Sequence, residues 1–154
     1  MTEVIPFAPS HAEAVMAIER QCFSAPWGLE SLLRTIGGSN ALTLVAIKDG
    51  RTVGYASALM LGPVGPGYVP PEAEVLKVAV LPEMRGQGIG RKLAEELTGR
   101  LRKLGVEVLH LEVRESNRAA RILYETCGFR HSGRRPSYYS NPREDAVLMM
   151  LRLK

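Results

Sequence analysis

Seven residues, Arg85-Gly86-Gln87-Gly88-Ile89-Gly90-Arg91, constrain this 154-residue chain more than any other segment. Before them, Glu74 to Val80 reads as a strand. After them, Ile89, Leu93, Leu97, Leu101 and Leu104 recur every three or four residues until Gly105 stops them. That is the clearest amphipathic helix in the sequence. Glycines between a strand and a helix let successive backbone N–H groups turn toward one point, and the helix N-terminus adds partial positive charge. Arg85 and Arg91 add donors suited to phosphate. The loop is therefore built to hold a phosphate or pyrophosphate. Two common phosphate motifs do not fit it. The G-x-G-x-G spacing brings the third glycine one residue early for the dinucleotide fingerprint, and no Gly-Lys-Ser/Thr triplet exists for a nucleotide P-loop. A solvent-exposed glycine turn is the other reading of the same residues.

The remaining chain supplies alternating elements without an internal repeat. Ser10 to Cys22 has helical apolar spacing with Ser10 as the expected N-cap. Ser24-Ala25-Pro26-Trp27-Gly28 breaks it, and a short helix over Leu29 to Thr35 follows. Leu42 to Ile47 and Thr52 to Leu61 read as a hairpin around Lys48-Asp49-Gly50-Arg51. The Gly- and Pro-rich stretch Gly62 to Pro71 suits neither helix nor sheet. Val106 to Val113 reads as a strand with Leu109, Leu111 and Val113 on one face and Val108, His110 and Glu112 on the other. A helix over Arg118 to Cys127 is expected behind a Ser116 or Asn117 cap and ahead of Gly128. Strands over Phe129 to Arg134 and Ala146 to Leu153 then flank an irregular Arg135 to Asp145. The order α, α, β, β, β, α, β, α, β, β predicts a mixed α+β sheet with helices on its faces.

Composition narrows the classes. With 45% apolar and 23% charged residues, the chain can bury a core and does not resemble a disordered sequence. Cys22 and Cys127 stand far apart with no His/Cys cluster, so neither a disulfide framework nor a metal site is expected and a reducing cytoplasm is. No apolar run reaches the roughly 20 residues that span a bilayer, and the N-terminus lacks a secretion-signal pattern. The net charge of +4 suits a nucleic-acid binder or an enzyme for a polyanionic small molecule. Arg85 to Lys103 contains no aromatic residue on which bases could stack, which disfavours nucleic acid.

The run Val78-Ala79-Val80-Leu81-Pro82-Glu83-Met84-Arg85-Gly86-Gln87-Gly88-Ile89-Gly90-Arg91 resembles the acetyl-CoA signature of the GNAT acetyltransferases, V-x-V-x-P-x-x-R/Q-G-x-G-x-G/A. The resemblance covers nearly the whole chain. It implies one domain over residues 1–154 with the GNAT (acyl-CoA N-acyltransferase) fold, a mostly antiparallel mixed sheet flanked by helices. It also implies acetyl-CoA as cosubstrate and no metal. Leu123-Tyr124-Glu125-Thr126-Cys127-Gly128-Phe129 is shared by most of the family. Cys22 to Trp27, Leu111 to Asn117, Arg135 to Tyr139 and Arg143-Glu144-Asp145-Ala146 are narrower. They resemble the RimI type, which acetylates the N-terminal alanine of a small-subunit ribosomal protein. Two features depart from that type. Lys77 stands where a small polar residue is expected, and the Gly62 to Pro71 loop is longer.

Acetyl transfer from a thioester to an amine needs a base for the ammonium, donors for the oxyanion and a proton for the leaving thiolate. Glu112 can serve as the base directly or through a water, and by resemblance it matches the family's general base; an ordinary surface glutamate is the alternative. His110 shares its face and is expected at the rim. Resemblance makes Tyr124 the general acid, and a phenol is protonated at neutral pH; a core tyrosine is the alternative. Val78, Ala79 and Val80 are expected to pair their backbone with the pantetheine arm like an added strand, with an N–H there as oxyanion donor. Asn117 can cap its helix, contact that arm, or do both. Arg85, Gly86, Gln87, Gly88, Ile89, Gly90 and Arg91 complete the expected cofactor contacts. Trp27, Tyr138 and Tyr139 are the candidate acceptor pocket, and Glu144-Asp145 either meets a cationic substrate or forms a solvated turn. Cys22 and Cys127 are expected in the core rather than as nucleophiles, so direct transfer in a ternary complex to a protein N-terminus is the mechanism. A lysine, polyamine or small-amine acceptor, or an acyl-CoA sensor without transfer, are the competing functions.

Overall fold

A computed structural model describes every residue except Ser24 and Ala25. The predicted break after the first helix therefore lies partly outside the described residues. The elements are β1 (Thr2–Pro6), α1 (Ala12–Cys22), α2 (Leu29–Ile36), β2 (Ala41–Lys48), β3 (Arg51–Met60), β4 (Glu72–Val80), α3 (Ile89–Leu104), β5 (Val108–Arg114), α4 (Arg118–Thr126), β6 (Arg130–Tyr139) and β7 (Glu144–Arg152). The strands form one sheet in the order β1-β2-β3-β4-β5-β7-β6. Every neighbouring pair is antiparallel except β4 and β5. The expected α+β class and mostly antiparallel sheet are what the chain forms.

The core follows from the two periodicities. Ile89, Leu93, Leu97 and Leu101 line one face of α3 and are buried against the sheet, whereas Leu104 in the last turn is exposed. Each buried leucine contributes about 1.5–3 kcal/mol of hydrophobic stabilisation. Gly54 sets how close α3 comes: a Cβ there would sit 2.8 Å from the Ala79 carbonyl oxygen and 3.1 Å from Leu93 Cδ1. Gly105 ends α3 in the left-handed region at φ 105°, where only glycine adapts without cost.

Four features depart from the sequence pattern. β1 is a short edge strand with Val4 as its buried residue; it is held by backbone pairing to β2, which leaves little side-chain pattern to read. Ser10 is not the cap of α1. It lies in a 3-10 turn, Pro9–His11, and the His11 ring nitrogen Nδ1 accepts from the Ala8 N–H at 2.9 Å instead. Arg135 to Asp145 is not irregular throughout: β6 runs on to Tyr139 and β7 begins at Glu144, across a register shift with Ser137 at φ 53°. Asp145 accepts from the Ser137 N–H at 2.8 Å and so repairs the backbone there. The fully buried Glu19 occupies an apolar-face position of α1.

The geometry that matters most is the divergence of β4 from β5. They pair in parallel only at Glu72↔Val108, Ala73↔Leu109 and Glu74↔His110. Beyond Glu74 the strands part, which leaves one edge of Val78, Ala79 and Val80 free of sheet partners while β3 holds the other. No helix among the described residues is long and apolar enough to cross a membrane.

Candidate active site

The parting of β4 and β5 opens a cavity of about 500 Å³. Val78, Ala79 and Val80 form one wall, Arg85, Gly86, Gly88, Ile89, Gly90 and Arg91 its rim, and Asn117 with Ala119, Ala120 and Leu123 the side toward α4. Ten of the twelve expected cofactor residues thus meet at one place. Gln87 and Tyr124 are the exceptions: Gln87 turns away to accept from Lys48 Nζ at 2.5 Å, and Tyr124, on α4 next to the lining residue Leu123, is not itself among the lining residues.

Why this place suits a diphosphate is visible in the backbone. Gly86 and Gly88 adopt φ 79° and 81°, and a Cβ built on either meets nothing within 4 Å. The glycines are therefore there for conformation, and the space beside them is open to a ligand. Gly88 also begins α3, whose first N–H groups have no partners within the helix. Asn117 does both of its candidate jobs: Oδ1 accepts from the Ala120 N–H at 3.2 Å as the cap of α4, while its side chain lines the cavity.

Sequence reasoning missed Cys22 and Phe23 as lining residues. Cys22 Sγ lies 3.4 Å from the Val80 carbonyl oxygen, and Arg85 reaches back to the same oxygen at 3.1 Å and to Cys22 Sγ at 3.3 Å. Apolar helical spacing places Cys22 against the core, where it is half-buried, and does not reveal that it also lines the cavity. Only the tertiary approach of α1 to β4 brings it here, and nothing local in the sequence signals that.

Glu112 projects from β5 on the face of His110, as its alternation predicts, with its side chain 22% exposed. Arg135 Nε is 3.5 Å away. The Tyr138 hydroxyl faces the same carboxylate, whose hydrogen bond and charge raise the phenol above its ordinary pKa. Tyr138 and Tyr139 pack edge to face at 5.0 Å. Burial first, then Glu112, raises Tyr139 as well. Glu74 is the second carboxyl here: burial, then the Glu112 charge, pushes it above the usual carboxylate range. His110 is at the rim, 2.5 Å from Glu72.

Tyr124 is buried, its ring edge on Phe129 at 5.6 Å. Burial, then the nearby Cys127, raises its pKa far above the ordinary tyrosine value, so it stays protonated at any working pH. Its hydroxyl has no hydrogen-bond partner among the described residues. No hydrogen bond or ion pair joins Glu112 to Tyr124. No ring pairing joins Trp27 to the tyrosine pair among the described residues, and its backbone N–H donates to Glu19 Oε1 at 3.0 Å. Glu144 and Asp145 are taken up internally, by Arg114 and the Ser116 N–H and by Arg134 and the Ser137 N–H.

Comparison with known proteins decides the family. The model of the acetyltransferase (GNAT) family matches residues 12–129. The chain belongs to the GNAT family. A [ribosomal protein bS18]-alanine N-acetyltransferase of Haemophilus influenzae is 36% identical over 140 residues, covering 89% of each chain. The crystal structure of the ribosomal-protein-S18-alanine N-acetyltransferase from Escherichia coli superposes with a TM-score of 0.88 at 32% identity. That match covers 100% of this chain and 95% of the other. A Salmonella typhimurium protein, yncA, solved with its cofactor acetyl-CoA, shares the fold at a TM-score of 0.83 and 22% identity, over 100% of this chain and 95% of the other. As a GNAT protein the chain is an acyltransferase, and acetyl-CoA is its cosubstrate.

Proposed function

We propose that this chain acetylates the N-terminal α-amine of a protein, the alanine of ribosomal protein bS18, by direct transfer from acetyl-CoA in a ternary complex. Residues 1–154 act as a single catalytic domain in the cytoplasm. The observation that carries the reading is the parted pair of strands, with the free backbone edge of Val78–Val80 on one and Glu112 on the other. The length and identity shared with bS18-alanine N-acetyltransferases support the acceptor.

Acetyl-CoA supplies an activated acyl thioester. The N–H groups around Gly86 and Gly88, with Arg85 and Arg91, hold the diphosphate. Val78, Ala79 and Val80 pair with the pantetheine amides, which leaves a backbone N–H to stabilise the oxyanion. Glu112, open on the face framed by Tyr138 and Tyr139, takes the proton from the acceptor ammonium. An α-amine with a pKa near 7.7–8.0 is about one-third deprotonated at pH 7.5, against roughly one in 800 for lysine near 10.4. Removing the proton is thus a small step for an N-terminus and a large one for a lysine. Tyr124 donates to the departing sulfur. With its pKa so raised it favours the hydrogen-bonded phenol over full ionisation.

Initial-rate measurements with hexapeptides starting in Ala, Ser, Gly or Met, alongside free lysine and spermidine, test the reading. The expected order has the Ala-initial bS18 sequence first by at least tenfold in kcat/KM. Turnover of the free amines with none of any Ala-initial peptide would overturn it.

A further inference from the structure

Lys77 lies one residue before the cofactor strand's Val78, and its surroundings are unlike those of any other lysine described. Its Nζ is 2.9 and 3.1 Å from the two carboxylate oxygens of Glu19. It also lies 4.1 Å from the ring centroid of Phe23 and 3.9 Å from that of Trp27. Only 18% of its side chain is exposed, and Glu19 is fully buried. A buried carboxylate persists only when its oxygens are paired. Here Tyr55 and the Trp27 N–H complete the set around Glu19. Ammonium–indole contact in a desolvated site is attractive in its own right.

The register explains how a lysine comes to be there. Ser57 opposes Lys77 and Ala58 opposes Val75, so Leu76 is an extra residue in β4. That irregularity turns Lys77 to the face of Tyr55 and α1, next to Phe23, which lines the cofactor cavity. One ammonium therefore joins the cofactor strand to the connection between α1 and α2 that carries Trp27.

We propose that Lys77 is a positioning residue that pins Trp27 as a wall of the acceptor pocket and so sets acceptor binding without taking part in the chemistry. The proposal rests on the reading of Trp27 as an acceptor contact. Trp27 is the sole tryptophan, so its fluorescence reports the clamp without any turnover.

The experiment compares Lys77→Met, Lys77→Arg, Trp27→Ala and the double variant Glu19→Gln/Lys77→Met. The double variant leaves no unpaired buried charge and stands in should Lys77→Met fail to fold. The probe acceptor is a bS18 N-terminal hexapeptide. For Lys77→Met or the double variant, the peptide KM is expected to rise at least tenfold, with kcat and the acetyl-CoA Kd within threefold of the parent. Acrylamide quenching of Trp27 should rise at least twofold, and Lys77→Arg should restore both readouts to within threefold. Unchanged quenching together with unchanged peptide KM in a folded Lys77→Met or double variant would reduce Lys77 to a structural ion pair and overturn the proposal. Increased quenching, with a peptide KM that neither Lys77→Met nor Trp27→Ala alters, would instead overturn the acceptor role of Trp27.

Discussion

Replacing Gly88 separates what the loop does for the fold from what it does for the cofactor. Gly88 sits at φ 81° with open space where a Cβ would go, so any cost of substitution is conformational rather than steric. Alanine in that region costs about 1–2 kcal/mol. For a domain of this size that lowers Tm by roughly 2–8 °C. Asparagine and aspartate tolerate the left-handed region better and have the same shape. Gly88→Asn against Gly88→Asp therefore isolates one negative charge at the mouth of the cavity. A carboxylate about 5 Å from one phosphate charge is repelled by roughly 3 kcal/mol at an effective dielectric near 20. Exposure and salt bring that to about 1.5–3 kcal/mol. Calorimetric titration with acetyl-CoA is expected to show Gly88→Asp binding ten- to a hundredfold more weakly than Gly88→Asn, while the two melt within about 2 °C of each other. Gly90 provides the control. It is helical, and a Cβ there would meet Leu123 and Val80 at 3.7 Å, an ordinary contact; Gly90→Ala should stabilise the fold by up to about 1 kcal/mol. Equal acetyl-CoA affinity for the Asn and Asp variants would refute the placement of the diphosphate at this loop.

Tyr124→Phe removes a hydroxyl without a hydrogen-bond partner among the described residues, so Tm should hold within about 2 °C while kcat falls at least tenfold at unchanged acetyl-CoA Kd. Parallel losses in kcat and Kd would contradict the donor role. Glu112→Gln should cut kcat by about 10²–10⁴ at pH 7. A pH-rate series should show that deficit shrinking toward pH 9, where the α-amine is already deprotonated; a constant deficit would argue against proton removal by Glu112. Because burial, then the Glu112 charge, raises the Glu74 pKa, its cost to the fold builds up as pH rises from the ordinary carboxylate value through the raised one, is complete above that, and is absent below the ordinary range. Glu74→Gln should therefore raise Tm by about 1–3 °C at pH 8 and leave it unchanged at pH 4. Equal shifts at both pH values would contradict this.

What the sequence made legible was whatever local periodicity and turn chemistry encode. The strand-glycine-helix unit, the alternation that exposes Glu112 and the cap at Asn117 all depend on neighbours within a few residues, and each is found where the pattern puts it. Elements held by distant groups were hidden. β1 depends on β2 for its backbone partners. The continuation of β6 depends on the Asp145 carboxylate across a register shift. Lys77 stands in the sequence as a departure from the RimI type within the β4 strand, because the carboxylate that balances it is 58 residues away and the rings that cover it lie in another connection. Cys22 packs against the core as its spacing predicts, but its place in the cavity wall is hidden because that cavity is made by strands that part far along the chain.

The most direct test of the central claim is to map the product on a single peptide that begins with alanine and carries an internal lysine, incubated with the protein and acetyl-CoA and sequenced by tandem mass spectrometry. The account predicts one acetyl group, on the α-nitrogen of the alanine, and its loss in Glu112→Gln at pH 7. An acetyl group on the lysine with a free N-terminus would contradict it.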